Sequence, residues 1–225
     1  MTVGAEVIPH GSLPEALVHL RALLNEARDR CLINLYWGGL DSAAHVFGPG
    51  TPVHDAEVRA FWAMMDVLLS GLDCRETLFL FTADHGHIHV PAHETIYINE
   101  RWPMLAEWLA VGPTGRTIWP NGSPRDMFLH LKPDRIETAL ELLREKLREV
   151  AHVLPVDEAL SRGLFGRQVA GTCLRARLGD VVILPRPGHF IWWRQKGLLE
   201  NRFHGHHGGL SAAELISVLG VVDGI

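Results

Sequence analysis

Acidic and imidazole side chains are concentrated in three short segments of this chain. Asp41 and His45 lie four residues apart in the segment GGLDSAAHVFGPG, and Asp84 and His85 are adjacent in the segment TADHGHIHV. In a helix, a spacing of four places both side chains on the same side. Mixed imidazole and carboxylate groups are ligands typical of zinc, and also of manganese or iron, rather than of calcium or magnesium.

The third segment, residues 204–209 near the C-terminal end, reads HGHHGG and places three histidines among glycines. Each segment also has an ordinary structural interpretation. Asp41 could cap a helix, the DHG sequence could be a simple loop, and the histidine-rich segment could be a solvated or metal-avid tract. If two metal ions lay about 4 Å apart, they would hold the attacking and leaving oxygens of a phosphoryl group in line.

The elements that position these residues can be predicted from the apolar pattern. Residues 31–37 (CLINLYW) and 77–83 are nearly continuous apolar runs, typical of buried strands, and amphipathic helices are predicted over 13–30 and 58–72. The order helix, strand, helix, strand predicts a parallel α/β sheet. Because open α/β sheets bind ligands at the carboxyl ends of their strands, we expect the two Asp/His pairs to meet there.

The rest of the chain is predicted to begin with a loop, since residues 112–125 hold three Gly and three Pro in fourteen positions. We expect one domain over residues 1–225, with residues 112–190 as an insert or cap-like subregion. Asp134 and Glu137 resemble a capping box at the start of a helix. Strands are predicted over residues 127–131, 180–184 and 190–193, the last two joined by a tight turn.

Composition restricts the function further. The 225 residues are 47% hydrophobic, which indicates an ordinary globular chain, and the net charge of −5 argues against a nucleic-acid binder with a basic face. No apolar run reaches about 18 residues, so no membrane span is predicted. The three cysteines, Cys31, Cys74 and Cys173, are expected to be buried thiols, and they favour a reducing, cytoplasmic compartment over a secreted one.

Three motifs together resemble the type I phosphodiesterase/nucleotide pyrophosphatase family of the alkaline phosphatase superfamily. They are YWGGLDSAAHVFGP at residues 36–49, TADHG at 82–86 and HGGLSAAE at 207–214, and they occur in the family's order. The resemblance implies an alkaline-phosphatase-like α/β fold, with a mostly parallel sheet flanked by helices.

The resemblance also implies a two-zinc hydrolase of phosphodiester or pyrophosphate bonds. In such a site Asp41, His45 and His207 would hold one ion, and Asp84 and His85 would help to hold the other. In the family a Ser or Thr attacks phosphorus, one metal activates this nucleophile and the other stabilises the leaving oxygen.

The resemblance distinguishes among the remaining histidines. His207 is the expected ligand, rather than His206, because the family ligand directly precedes a glycine. His87, His89 and His93 match no family ligand, so we expect them at the surface or behind the ligands.

The chain departs from the family upstream of Asp41, where neither the family's first strand with its Asp ligand nor the nucleophile segment is found. No nucleophile is therefore assigned. We expect a C-terminal portion of a longer enzyme, whose missing first strand leaves a sheet edge exposed. That edge predicts self-association, or a partner chain that supplies the missing part.

Two alternatives to a complete hydrolase follow from the same residues. The first is a non-catalytic metal-binding fragment or subunit that needs a partner chain for the nucleophile. The second is an iron oxygenase with a two-His, one-carboxylate site, which the α/β pattern disfavours. The expected substrate is a small phosphodiester or nucleotide, and the sequence does not identify it.

Overall fold

The structure is a computed structural model that describes residues 4–27, 29–70, 76–166, 171–197 and 199–223. Its helices are α1 (Leu13–Glu26), α2 (Gly39–Phe47), α3 (Pro52–Leu69), α4 (Ile98–Arg101), α5 (Leu105–Trp108), α6 (Ile136–Leu147), α7 (Val156–Ser161), α8 (Thr172–Leu178) and α9 (Ala212–Leu215). Its strands are β1 (Leu78–Thr82), β2 (Ile88–His89), β3 (Ile96–Tyr97), β4 (Asn121–Ser123), β5 (Asp126–Leu129), β6 (Ala151–Pro155), β7 (Val181–Pro185), β8 (Ile191–Trp192), β9 (Gly205–His206) and β10 (Leu219–Asp223).

Contacts within the chain define two compact units. Unit 1 comprises residues 1–83 and 218–225, and unit 2 comprises residues 84–217. The predicted subregion 112–190 lies within unit 2, and its role as a separate insert stays a prediction.

Unit 1 is built on the two predicted amphipathic helices, α1 and α3, which are both confirmed. Ser12 and Thr51 cap their N-termini by accepting hydrogen bonds from the backbone N–H groups of Glu15 and His54. The helices share a core in which the buried residues recur every three or four positions; these are Leu13, Leu17, Leu20, Met65 and Leu68.

The strands of unit 1 differ from the expectation. β1 confirms the strand predicted over 77–83, but it pairs antiparallel with β10 from the end of the chain. Residues 31–37 form no strand among the described residues, although Ile33, Leu35 and Trp37 pack against the helical core. The apolar run predicted burial on both sides, but only one side of the segment packs against the core, and Leu32 on the other side is 96% exposed. The run also could not specify a hydrogen-bonded neighbour, which a strand needs.

Unit 2 contains a four-stranded antiparallel sheet in the order β4-β5-β7-β6. Successive side chains of β5 and β7 enter different cores, because strand residues alternate between the two faces. Met127 and Ile183 belong to the core on one face, and Phe128 and Val182 belong to the core on the other.

Helices and loops cover both faces of this sheet. Leu140, Leu143 and Leu147 of α6 are buried in the first core, whereas Val156 of α7 and Leu178 of α8 are buried in the second. The strands predicted over 127–131 and 180–184 are confirmed as β5 and β7. The α/β class is also confirmed, but the described strand pairs are antiparallel except for β3 with β8, so the expected parallel order is not observed.

Two local predictions in unit 2 need correction. Helix α6 has no side-chain cap hydrogen bond, so the expected capping box of Asp134 and Glu137 does not form. β8 pairs with β3 rather than following β7 as a hairpin, because the turn after β7 leads to a different sheet. Trp192 and Trp193 are buried in the core.

Two of the cysteines contradict the expectation of buried thiols. Cys31 and Cys173 are both exposed. Cys74 lies outside the described residues.

No helix in the described ranges is long and apolar enough to cross a membrane.

Candidate metal centre

Three imidazoles converge in unit 2. One ring nitrogen each from His85, His87 and His207 lies within 4.8 Å of the others. The rings of His85 and His207 are stacked, with 3.5 Å between centroids and 13° between planes. The ring of His87 meets these two edge-on, at 5.3 Å and 5.1 Å.

Backbone pairing brings the two histidine segments together. β2 and β9 pair antiparallel, with Ile88 opposite His206, so the residues before β2 lie beside the residues after β9. The N–H of Gly86 donates to the carbonyl of Glu214 at 2.9 Å. A Cβ at position 86 would lie 2.1 Å from the carbonyl oxygen of Ala213, so only glycine permits this approach.

The tautomer of His85 follows from its neighbour. Its Nδ1 lies 3.2 Å from the carbonyl oxygen of Gly86, and because a carbonyl only accepts, the hydrogen must be on Nδ1. The lone pair of Nε2 is then available to a metal ion, in the arrangement usual for metal-binding histidines.

The other predicted ligands lie near their partners within the same unit. Asp84 is mostly exposed, with Oδ1 3.5 Å from Nε2 of His85. In unit 1, Asp41 and His45 lie on one side of α2, with 3.5 Å between Oδ1 and Nε2. The predicted four-residue helical spacing is thus confirmed.

Three other histidines that the sequence analysis considered are His89, His93 and His206. His89 and His93 are exposed, as expected for residues outside the ligand set. The side chain of His206 is buried, its ring packs edge-on against Phe190, and its Nε2 lies 2.7 Å from Oδ1 of Asn201. The His206 side chain therefore anchors β9 to the protein interior.

A buried ion pair fixes the loop that follows His207. Arg125 is 0% exposed and Glu214 is 2% exposed, and the guanidinium holds the carboxylate through two hydrogen bonds of 2.8 Å. Arg125 also donates to the carbonyls of Arg186 and His189. These bonds satisfy a charge that would otherwise be costly to bury.

The Glu214 carboxylate also organises the backbone of the loop. Burial raises its pKa, but hydrogen bonds from Arg125 and Ser211 outweigh burial and leave the pKa below its ordinary value. The N–H of Gly209 donates to Oε1, and Ser211 donates to Oε2 in a capping box at the start of α9. The loop of residues 207–211 is thereby fastened at its far end.

A second carboxyl, Asp126 at the start of β5, supports the near end of the loop. Ser123 lies 2.5 Å from Oδ1 of Asp126, and the same hydroxyl lies 3.2 Å from the carbonyl oxygen of His207. Burial raises the pKa of Asp126 to about 6, although hydrogen bonds from Ser123 lower it.

These side chains border a cavity of about 330 Å³ within unit 2. Its polar lining includes Asp84, His85, Asp126, His207 and Glu214. The other lining side chains are largely apolar, namely Leu164, Phe165, Leu184, Leu210 and Leu215. The cavity thus combines an acidic and imidazole end with an apolar side, as small-molecule sites commonly do.

The donor set fits a transition-metal ion. Zinc binds imidazole nitrogen at about 2.0–2.1 Å, so two nitrogens on one tetrahedral ion lie about 3.4 Å apart. The nitrogens of His85, His87 and His207 lie within 4.8 Å of one another, which is close enough for imidazole ligands of a zinc site. Nitrogen donors disfavour calcium and magnesium.

Several residues of this region were not predicted. His87 was placed outside the ligand set, yet its ring joins His85 and His207. A spacing of two in an extended segment puts His85 and His87 on the same side, and this pattern could have revealed it. No local pattern could have revealed Arg125, whose partner Glu214 lies 89 positions away. Asp126 bonds to Ser123, and it is the Ser123 hydroxyl that reaches His207 across 84 positions.

Comparison with known families identifies a match to residues 13–210 of this chain. The matching family model is that of type I phosphodiesterase / nucleotide pyrophosphatase. A sequence search of curated proteins finds no match.

Solved structures of ectonucleotide pyrophosphatase / phosphodiesterase 5 share the fold. The murine protein has a TM-score of 0.70 at 16% identity, and the human protein 0.68 at 14%. The murine protein has also been solved as an inactive form in complex with AMP, with a TM-score of 0.67 at 16% identity. Each likeness covers 95% of this chain and 54% of the other, so this chain spans about half the length of these relatives.

Proposed function

Because the chain belongs to the type I phosphodiesterase/nucleotide pyrophosphatase family, we propose that it takes part in metal-dependent hydrolysis of phosphodiester or pyrophosphate bonds. The observation that carries the proposal is the convergence of His85, His87 and His207 beside a cavity with an acidic end. Without a cation, the carboxylates at that end would repel a phosphate group.

We assign the ligands as the family motifs imply. Asp41, His45 and His207 are proposed to hold one ion, and Asp84 and His85 to help hold the other. His87 is an additional nitrogen donor beside these rings.

The residues of unit 2 have separate tasks in this proposal. His85 keeps its hydrogen on Nδ1 and presents Nε2 to the metal, while the Arg125–Glu214 pair keeps the loop after His207 in place. The apolar side chains that line the cavity, Phe165 among them, are available to contact an organic substituent of the substrate. The metal ions, when bound, supply positive charge that stabilises the oxygens around the phosphorus.

The proposed substrate class is a nucleotide or another small phosphodiester. Support for a nucleotide comes from the murine relative, which was solved with AMP. The cavity of about 330 Å³ has room for a phosphate group with a small organic substituent.

A second candidate is a metal-binding chain that is not catalytic by itself. The observation that favours it is the share of the relatives that this chain spans, 54%, together with the lack of a nucleophile in a family context. In this case zinc binds, but hydrolysis requires the polypeptide that supplies the nucleophile.

The test is zinc affinity, measured by competition with a chromogenic chelator, on the wild type, His207→Ala and His89→Ala. His207→Ala is expected to weaken zinc binding by more than about tenfold, because a ligand is lost. His89→Ala is the matched control, since its imidazole is exposed, and it should bind zinc like the wild type. Equal affinity of all three proteins would contradict the ligand assignment.

Hydrolysis of bis-p-nitrophenyl phosphate, with and without the chelator, then separates the two candidates. Turnover that the chelator abolishes supports the hydrolase. Zinc binding without turnover supports the non-catalytic chain.

A further inference from the structure

Strand register in unit 2 places His87 opposite His207. β2 pairs antiparallel with β9, with Ile88 opposite His206. Continuing the same register by one residue puts His87 opposite His207, and their ring centroids lie 5.1 Å apart. Directly opposed residues of an antiparallel pair have neighbouring side chains on one face of the sheet. The contact between these two imidazoles therefore follows from backbone pairing.

The two faces of the β2–β9 pair have different surroundings. Ile88 is 8% exposed and His206 is 7% exposed, so these two side chains point into the protein. Because successive side chains of a strand alternate, His87 and His207 point to the other face. The ring of His85 lies 5.3 Å from that of His87 and is stacked on that of His207. Three imidazoles thus meet on the face opposite the buried one.

His89 provides a comparison within the same strand. It lies two residues beyond His87, on the same face of β2, but it is opposite Gly205, which has no side chain. His89 is exposed, and among the described residues it is not one of the histidines whose ring nitrogens lie within 4.8 Å of one another. Register, rather than the number of histidines in the segment, decides which imidazoles converge.

The charges beside the three rings favour a cation. With its hydrogen on Nδ1, His85 has a lone pair on Nε2, and Oδ1 of Asp84 lies 3.5 Å from this nitrogen. Two electron-rich atoms at this distance are stabilised by a positive charge near both. Asp126 and Glu214 line the same cavity and add carboxylate groups to this end.

We propose that His87 is a metal ligand that acts together with His85 and His207. One ring nitrogen of each lies within 4.8 Å of the other two. The family motifs assign no ligand role to His87, so this residue adds a donor to the two-ion assignment. The proposal deepens the proposed function and rests on metal binding at this site, but not on hydrolysis.

A third imidazole favours zinc over manganese at this site. Imidazole nitrogen suits zinc, whereas manganese and magnesium prefer oxygen ligands. Each nitrogen donor that is added therefore shifts the preference toward zinc. We expect the chain to bind zinc more tightly than manganese, and His87 to supply part of this preference.

The test is the metal affinity of the wild type, His87→Ala and His89→Ala, measured by chelator competition for zinc and by electron paramagnetic resonance for manganese. His87→Ala should weaken zinc binding by more than about tenfold, because a nitrogen ligand is lost, and should weaken manganese binding less. His89→Ala is the matched control on the same face of β2, and it should keep both affinities.

X-ray absorption spectra of the zinc complexes count the imidazole ligands directly. His87→Ala should show one imidazole fewer than the wild type, and His89→Ala should show the same number. Unchanged zinc affinity and imidazole count in His87→Ala would overturn the proposal. Equal losses of zinc and manganese affinity would also overturn it, because they would indicate a structural role for His87.

Chemical modification of the wild type is an independent check that needs no variant. Diethyl pyrocarbonate modifies accessible imidazoles, and mass spectrometry locates the modified residues. Saturating zinc should slow the modification of His87 about tenfold or more and leave that of His89 unchanged. Equal rates for His87 with and without zinc would contradict its role as a ligand. If His87→Ala does not fold, this measurement decides.

The same experiments distinguish this proposal from the proposed function. Loss of zinc binding in His207→Ala but not in His87→Ala would retain the proposed function and overturn the role of His87. A wild type that binds no zinc would overturn both.

Discussion

The two units of this chain differ in how many faces of their sheets are covered by helices. In unit 2, α6 covers one face of the β4-β5-β7-β6 sheet and α7 with α8 covers the other, so β7 is buried along its whole length. In unit 1, helices cover one face of β1 and β10, and the other face is exposed. Unit 2 therefore covers both faces of this sheet with its own helices, whereas β1 and β10 of unit 1 keep one face exposed to solvent.

The polar groups show the same contrast. Unit 2 buries a charged pair, Arg125 with Glu214, and satisfies it with hydrogen bonds from several loops. Asp41 and His45, on α2 of unit 1, remain half-buried near the surface.

The largest effect is expected from breaking the buried ion pair. Arg125→Met leaves the Glu214 carboxylate buried without its partner, and loss of one member of such a pair costs about 3–5 kcal/mol. Urea unfolding followed by tryptophan fluorescence measures it. The control is Asp157→Ala, which removes an exposed ion pair with Arg175 and should cost less than about 1 kcal/mol. Similar losses in the two variants would contradict the role of burial.

The next largest effect on the free energy of unfolding comes from truncating one leucine in each of the two sheets. Leu129→Ala removes a fully buried side chain from unit 2 and should lower the free energy of unfolding by about 2–5 kcal/mol. Leu80→Ala removes a side chain that is 61% exposed in unit 1, and it should change the free energy of unfolding by less than about 0.5 kcal/mol. A large loss of stability for Leu80→Ala would mean that the Leu80 side of β1 is covered rather than exposed.

The pH dependence of Asp126 is expected to be smaller. Its pKa is raised from 3.8 to about 6 in the folded state, so the folded protein binds a proton that the unfolded chain has released. This contribution is present below pH 3.8 and is lost as the pH rises through about 6, by on the order of 2 kcal/mol.

Asp126→Asn should remove the loss of stability that Asp126 causes as the pH rises, while the amide oxygen still accepts a hydrogen bond from Ser123. Unfolding free energies of both proteins at intervals from pH 4 to pH 7 measure it, and the variant should gain relative to the wild type as the pH rises. Parallel curves would show that Asp126 titrates normally.

A steric effect of similar size to that of Asp126 is expected in the loop after His207. A Cβ at Gly209 would lie 2.5 Å from Nη2 of Arg125, so Gly209→Ala is expected to cost about 1–3 kcal/mol. At Gly112 the nearest atoms lie 3.6 Å away or more, which makes Gly112→Ala the matched control. If Gly209→Ala left the free energy of unfolding unchanged, the Arg125–Glu214 pair would be able to shift and accommodate the added methyl group.

Much of the fold was determined by local pattern. The spacing of leucines in α1 and the continuous apolar runs of β1, β5 and β7 predicted these elements, because burial on one side or both leaves a periodic trace in the sequence. The four-residue spacing of Asp41 and His45 likewise predicted their place on one side of α2. The family motifs added the expected roles of these residues.

The tertiary structure alone decided which strands pair and which polar groups meet. β1 pairs with a strand at the far end of the chain, and residues 31–37 remain without a described partner, although both runs are equally apolar. Arg125 meets Glu214 across 89 residues of sequence. Apolar periodicity records how much of a side chain is buried, but not which neighbour buries it, and neighbours distant in sequence are set by the packing of the whole unit.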